Sequence, residues 1–249
     1  MLVVVIASVI GPLLVDDTVM YNAVIYDRST MCAKKPDPDV AIRLIEAAAR
    51  VLAEEGPAAV SARRLANEVG ASTMVVYTHF GGMDHVLGHV RREGFRRFAE
   101  ALAGPRITDD PVADWMSQAW AYRRFALDEP HLYRAMFGSE IGVTAHDTAE
   151  DAEAALATFA LLLDRIERCG TSGRWAVDDV ALAGEMCWAL VHGFAQIELS
   201  GFFADVGRDP TAAHAQAMRR VALGYGDDPD EVDASLERAR RRAARAGLL

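Results

Sequence analysis

Lysine is almost missing from this 249-residue chain: of 26 basic side chains only Lys34 and Lys35 are lysine, the other 24 being arginine. Cysteine is scarce as well. Cys32, Cys169 and Cys187 show no metal-ligand spacing, and three thiols cannot complete a disulfide set. That excludes a disulfide-stapled scaffold and predicts a reducing, cytoplasmic setting. The 9 prolines are scattered, and no alternating run of strand type occurs after residue 33. No G-x-S-x-G, HExxH, P-loop or dinucleotide fingerprint occurs, so neither an enzyme nor a cofactor is expected. His85 and His89 stand at the i, i+4 spacing of helical metal ligands, but no third ligand is near them in sequence, and no metal is assigned.

What remains is helical. Ala-, Leu-, Arg- and Glu-rich segments of period 3.6 dominate a chain that is 51% hydrophobic, enough for one or two substantial cores. The fold class is therefore all-α. The net charge of −10 is unevenly placed: residues 34–82 carry six basic and six acidic groups, whereas residues 83–249 carry 19 and 27. A neutral N-terminal unit joined to an acidic body can still meet a polyanion if its bases are clustered, because phosphate neutralisation is local.

Residues 61–80, SARRLANEVGASTMVVYTHF, carry the most information. Ser61 is placed to cap a first helix whose apolar face is Leu65, Ala66 and Val69, and Gly70 supplies the left-handed residue that ends it. Ser72 caps a second helix with Val75, Val76 and Phe80 inward and Thr73, Met74, Tyr77, Thr78 and His79 around the rest. Helix, glycine turn and a second helix with polar and aromatic groups outward is the build of a DNA-reading helix-turn-helix. An ordinary helical hairpin is the plainer alternative.

The chain resembles the TetR family of transcriptional repressors. The resemblance rests on RLIEAAARVLAEEG (43–56), on LANEVGAS with VVYTHF inside the hairpin, and on MDHVLGHV (83–90) after it. Where the family often has a phosphate-gripping lysine after the second helix, this chain has Gly81, Gly82 and Met83. In the body, Trp188 with His192-Gly193, and HLYRAMF (131–137), resemble a subgroup of C-terminal domains named for a Trp, His and Gly motif. The resemblance implies an N-terminal three-helix DNA-binding domain and a C-terminal helical bundle that binds a ligand and dimerises.

Four stretches follow. Residues 1–33 read as a leader: MLVVVIASVIGPLLV is shorter than a spanning helix and lacks a positive flank, so the functional start is expected at Met31 or nearby. A membrane-associated or strand-forming arm is the alternative. Residues 34–82 form the reader, 83–226 a linking helix with the ligand-binding and dimerisation bundle, and 227–249 a charged tail, exposed as a helix or solvated. Body helices are predicted over 112–127, 130–137, 148–169, 178–203 and 210–225. Gly193 is expected to let a neighbouring helix approach closely.

The expected DNA contacts are Lys34, Lys35, Ser61, Arg63, Arg64, Ser72, Thr73, Met74, Tyr77, Thr78 and His79, with hydroxyl and imidazole donors on phosphates and methyl groups on base edges. Trp115, Tyr133, Phe137, Phe159, Trp188 and His192 are the expected ligand contacts; plain core is the competing reading for each aromatic. The expected partners are palindromic double-stranded operator DNA, a small apolar or aromatic effector and a second copy of the chain, with no membrane. A helical carrier or enzyme that kept a relic helix-turn-helix is the rival. Against the arginine-rich background, MYNAVIY (20–26) stands out, since Met20, Tyr21, Asn22, Ile25 and Tyr26 are amino acids with A·T-rich codons.

Overall fold

A computed structural model describes residues 38–137 and 149–249. The leader and Lys34 and Lys35 lie outside the described residues. Every regular element among those described is a helix. In chain order they are α1 Pro38–Glu55, α2 Ala62–Val69, α3 Thr73–Phe80, α4 Val86–Ala103, α5 Pro111–Asp128, α6 Pro130–Phe137, α7 Ala149–Thr171, α8 Val180–Leu199, α9 Phe202–Asp205, α10 Pro210–Gly224 and α11 Pro229–Arg245.

Local chemistry sets the reader's turns. The Ser61 hydroxyl accepts a hydrogen bond from the Arg64 backbone N–H, satisfying one of the donors that α2 leaves open. Gly70 at φ 66° ends α2 in the left-handed region, and the next N–H, that of Ala71, reaches back to the Ala66 carbonyl. One core closes the unit: Leu44, Ala48 and Leu52 of α1 meet Leu65, Ala66, Val76 and Phe80 of the hairpin and Val86 and Val90 of α4.

The body is arranged around α5. Pro111 through Arg123 are buried on every side, a pattern a helix shows only when neighbours cover its whole circumference. Phe95, Phe98 and Leu102 of α4 cover one side, Ile166 and Cys169 of α7 and Cys187, Val191 and Ala195 of α8 others, and Val232, Ala239 and Ala243 of α11 the last. Small residues set two of the closest approaches. A Cβ on Gly94 would stand 2.7 Å from the Met136 side chain, and one on Gly184 would stand 2.4 Å from Leu163 Cδ2. Gly193, expected in that role, would meet nothing within 4 Å.

Two further expectations change. The segment read over 178–203 breaks at Ser200-Gly201, where Gly201 takes φ 85°, leaving α8 and the short α9. The charged tail is not solvated either. Its helix α11 lies along α5, with Val232, Ser235, Ala239 and Ala243 buried. Arg238 pairs with Asp110, and Arg242 bonds Asp114 at 2.8 Å, one helical turn further along both helices, so the two run parallel. Arg174 fixes the start of this helix through Asp227, at 2.7 and 2.9 Å, and through Ser235 at 3.2 Å. Two guanidiniums of the run that looked solvated, Arg238 and Arg242, face carboxylates 128 residues earlier in the chain.

Candidate nucleic-acid interface and effector cluster

The second reader helix, α3, buries Val76 and Phe80 and turns the rest outward. Met74 is 70% exposed and Tyr77 49%, two large side chains on the outward side of the helix. Thr73 and Thr78 are exposed and His79 half-buried. The Thr78 hydroxyl donates to the Met74 carbonyl at 2.8 Å, so its polar end is engaged along the helix. Ser72 caps α3 without a side-chain bond, leaving its hydroxyl available.

The two arginines separate. Arg64 is held by Glu55 at 2.8 Å and by Glu68 at 3.2 Å, while Arg63 is exposed and engages no ion pair or hydrogen bond among the described residues. The Arg63 guanidinium is thus the one of the pair left uncommitted among the described residues. Ser61 works as the α2 cap. His89 packs its ring on Phe80 at 5.3 Å, and no cluster of three metal-ligating side chains occurs among the described residues.

In the body, Tyr133 of α6, Tyr122 of α5 and His192 of α8 converge. The two hydroxyls lie 3.1 Å apart, and each is 2.9 Å from His192 Nδ1. Gln196, one turn on, brings its amide to 3.5 Å from Nε2. Phe137 and Trp188 surround the imidazole at ring distances of 4.9 and 5.1 Å, and Phe98 meets Tyr122 edge-on at 4.9 Å. Burial holds the Tyr122 and Tyr133 hydroxyls above the ordinary phenol range and pushes His192 below the usual imidazole value, so the triad is neutral. Its inner wall, Tyr122 and Tyr133, is fully buried, whereas Phe137, Trp188, His192 and Gln196 are half-buried.

Four of the six expected ligand contacts thus share one cluster. Phe159 stands beside it on α7, its ring 3.2 Å from a Cβ built on Gly184, one turn before Trp188. Trp115 does not belong there. It packs edge-on against Trp175 at 5.0 Å, and Trp175 in turn stacks on Tyr225 at 4.9 Å, an assembly of core indoles. Tyr122 was not among the expected ligand contacts; its partners lie 11 and 70 positions away. Cys169 and Cys187 are buried thiols, the latter pushed up to about 12, and both stay protonated and unreactive.

Helix α6 touches both units. Leu132 and Ala135 enter the reader core, while Tyr133 and Met136 enter the body core. Arg97 of α4 adds polar ties: it bonds Glu46 of α1 at 3.2 Å, Glu93 at 2.7 Å and Glu129 at the start of α6 at 3.1 Å.

Comparison with known proteins agrees with this arrangement. The family described as bacterial regulatory proteins, tetR family, matches residues 44–90, and a tetracyclin repressor-like C-terminal domain matches residues 115–222, together more than half of the chain. An uncharacterised HTH-type transcriptional regulator of Mycobacterium tuberculosis is 24% identical over 184 residues, covering 73% of this chain and 79% of the relative. Among solved structures, a Rhodococcus protein of unknown function superposes with a TM-score of 0.65 at 23% identity, covering 75% of this chain and 95% of that one. The TetR family regulator PfmR of Thermus thermophilus gives 0.56 at 21%, covering 62% and 85%. With the helix-turn-helix and the helical body both accounted for, the chain belongs to the TetR family of transcriptional regulators.

Proposed function

We propose that the chain is a homodimeric repressor that binds palindromic operator DNA through α3 and is released by a small apolar or aromatic effector in the body. The observation that carries this reading is the outward face of α3, where Met74 and Tyr77 stand exposed beside hydroxyl and imidazole groups. Such a face adds nothing to monomer stability, and it has the size and chemistry to enter a major groove. Tyr77, His79 and Arg63 are assigned to phosphates, and Thr73 and Met74 to base edges.

The dimer is supported by α8. Leu182, Met186, Ala189, Gly193 and Ile197 recur every three or four residues, none is buried, and Met186 is 60% exposed. The open space around Gly193 finds its use there, since the helix of a second copy can approach closely over Ala189 and Gly193. By length and composition alone α8 could also cross a membrane, with mean hydropathy 1.3. The buried ion pair of Arg123 with Glu198, near its end, favours a second copy over lipid.

The effector site is assigned to the Tyr122–Tyr133–His192 cluster. A molecule entering beside Tyr133 pushes on α6, whose opposite face is part of the reader core. Two arrangements of α6 then differ in the spacing of the paired readers, and an effector that prefers one of them lowers operator affinity by population shift. Gel shift across a salt series tests the DNA step. A wild-type chain that retards no duplex at low salt removes the proposal. Size-exclusion with light scattering on Met186→Glu tests the dimer: the expected result is a folded monomer, and an unchanged dimer rejects the α8 interface.

A further inference from the structure

Resting on the reading of α3 as the base-contacting helix, we infer that it reads thymine methyl groups, and that its half-sites are A·T-rich. The face decides this by what it presents. Between Gly70 and Gly82 there is no Arg, Lys, Asn, Gln, Asp or Glu. Guanine is read best by Arg or Lys, adenine by Asn or Gln, and cytosine by an acidic acceptor. None of these side chains is on the helix. What stands outward instead is the Met74 thioether with its terminal methyl, 70% exposed, and the side chains of Thr73 and Thr78. Because the Thr78 hydroxyl is bound to the Met74 carbonyl, a methyl group is what that residue has left for a base. Of the four bases in the major groove only thymine carries a methyl group, and apolar contact with it is the readout this face can make. Arg63, free of ion pairs among the described residues, is available for a phosphate or a single flanking guanine.

The chain's own sequence supplies a candidate. Arginine outnumbers lysine 24 to 2, which marks a G·C-rich gene, yet MYNAVIY runs against that composition. Tyr21, Asn22, Ala23, Val24 and Ile25 can be encoded as TAT AAC GCN GTT ATA, one choice that codon degeneracy permits without requiring it. That reading is a perfect inverted repeat, TATAAC and GTTATA around three bases. Its arm centres lie about 9 base pairs apart, near the single helical turn that separates the half-sites of a symmetric helix-turn-helix dimer. Each arm holds five A·T pairs and one G·C pair. A protein bound there represses the gene that encodes it.

Binding of the full-length chain to three duplexes of about 30 base pairs tests this at fixed salt. One carries TATAACGCCGTTATA; in the second, deoxyuridine replaces every thymine of the arms, removing methyl groups and nothing else; in the third, the A·T pairs of the arms become G·C. The expected result is at least about tenfold tighter binding of the first than the second, with the third at the non-specific level. Met74→Ala should shrink the thymine-to-deoxyuridine ratio. Equal binding of the first two duplexes, or preference for the third, overturns the methyl reading. If instead selection from random duplexes returns A·T-rich, methyl-dependent half-sites unlike TATAAC, the methyl reading stands and the coded repeat is rejected. G·C-rich codons such as GTC ATC at Val24 and Ile25 reject the repeat too. Failure to bind any duplex overturns the DNA-binding proposal itself.

Discussion

Helices α3 and α5 differ in where their sequence information goes. α3 buries two side chains, Val76 and Phe80, and presents most of the others outward. α5 buries thirteen consecutive positions, among them Asp114, Ser117, Gln118 and Arg123. On α3 the Thr78 hydroxyl bonds only back to its own helix, at the Met74 carbonyl, whereas on α5 Asp114, Gln118 and Arg123 are bonded from other elements and Ser117 to the Ala113 carbonyl. Asp114 accepts from Thr108 at 2.6 and 2.7 Å, from Arg168 at 3.0 Å and from Arg242 at 2.8 Å. Polarity outside a core is free to serve a ligand, and polarity inside one is committed to the fold. Substitutions on α3 should therefore alter binding and leave stability alone, and those on α5 and its partners the reverse.

The comparison breaks most visibly at the Arg123–Glu198 pair, whose side chains are 4% and 10% exposed. Glu198→Ala strands the guanidinium, one of whose nitrogens already lacks a partner. The expected cost is about 3–5 kcal/mol, read as a shifted urea midpoint; a change below about 1 kcal/mol would mean that water reaches the pair.

Acid provides a second, graded effect at the same helix. His214 packs between Trp120 and Phe194, at 4.7 and 4.8 Å, and burial first, then the Arg123 charge, lowers it to about 3 from 6.5. The unfolded chain takes up a proton below pH 6.5 that the folded chain refuses. Stability is thus level above that pH and falls as pH drops toward 3, by at most about 1.4 kcal/mol per unit from this group. His214→Leu should flatten that part of the profile; an unaltered slope would place the acid sensitivity elsewhere.

On α3 the expected effects are smaller and lie in binding. Met74→Ala or Thr73→Val should change sequence preference by about 1–3 kcal/mol per direct contact, with the melting temperature unmoved. Tyr77→Phe combined with His79→Ala should weaken binding to all sequences alike and make the salt dependence shallower, because the lost contacts are to phosphates. A drop in melting temperature in either variant would show that this face contributes to the fold after all.

These same differences govern what could be read from the chain beforehand. The starts of α5 and α10 were legible to within a residue, and Asp110 and Asp209 each accept a backbone N–H of the helix that follows; Asp228 does the same for α11, whose start was not assigned. The reader was legible for a related reason, since Ser61, Gly70 and Gly81 act within a few residues of themselves. Tyr122 was not, because its assignment depends on His192, 70 positions later, and helical period alone names no partner for an inward face. Trp115 failed in the opposite sense: an aromatic on the right helix pointed to the wrong neighbour, Trp175. The basic run at the end looked solvated because the acids that receive it, Asp110 and Asp114, sit near the middle of the chain.

The parallel seat of α11 on α5 also has a consequence in time. The contacts of Arg238 with Asp110 and of Arg242 with Asp114 each span 128 residues. At ordinary rates of synthesis, about 5–20 residues per second, α5 waits on the order of ten seconds before its last cover leaves the ribosome. During that interval the reader, whose contacts are mostly local, can already be complete while the body cannot. The final helix therefore sets when the nascent body becomes safe from sticking to its neighbours, and a chain cut short before Pro229 leaves the ribosome with an apolar side of α5 permanently open.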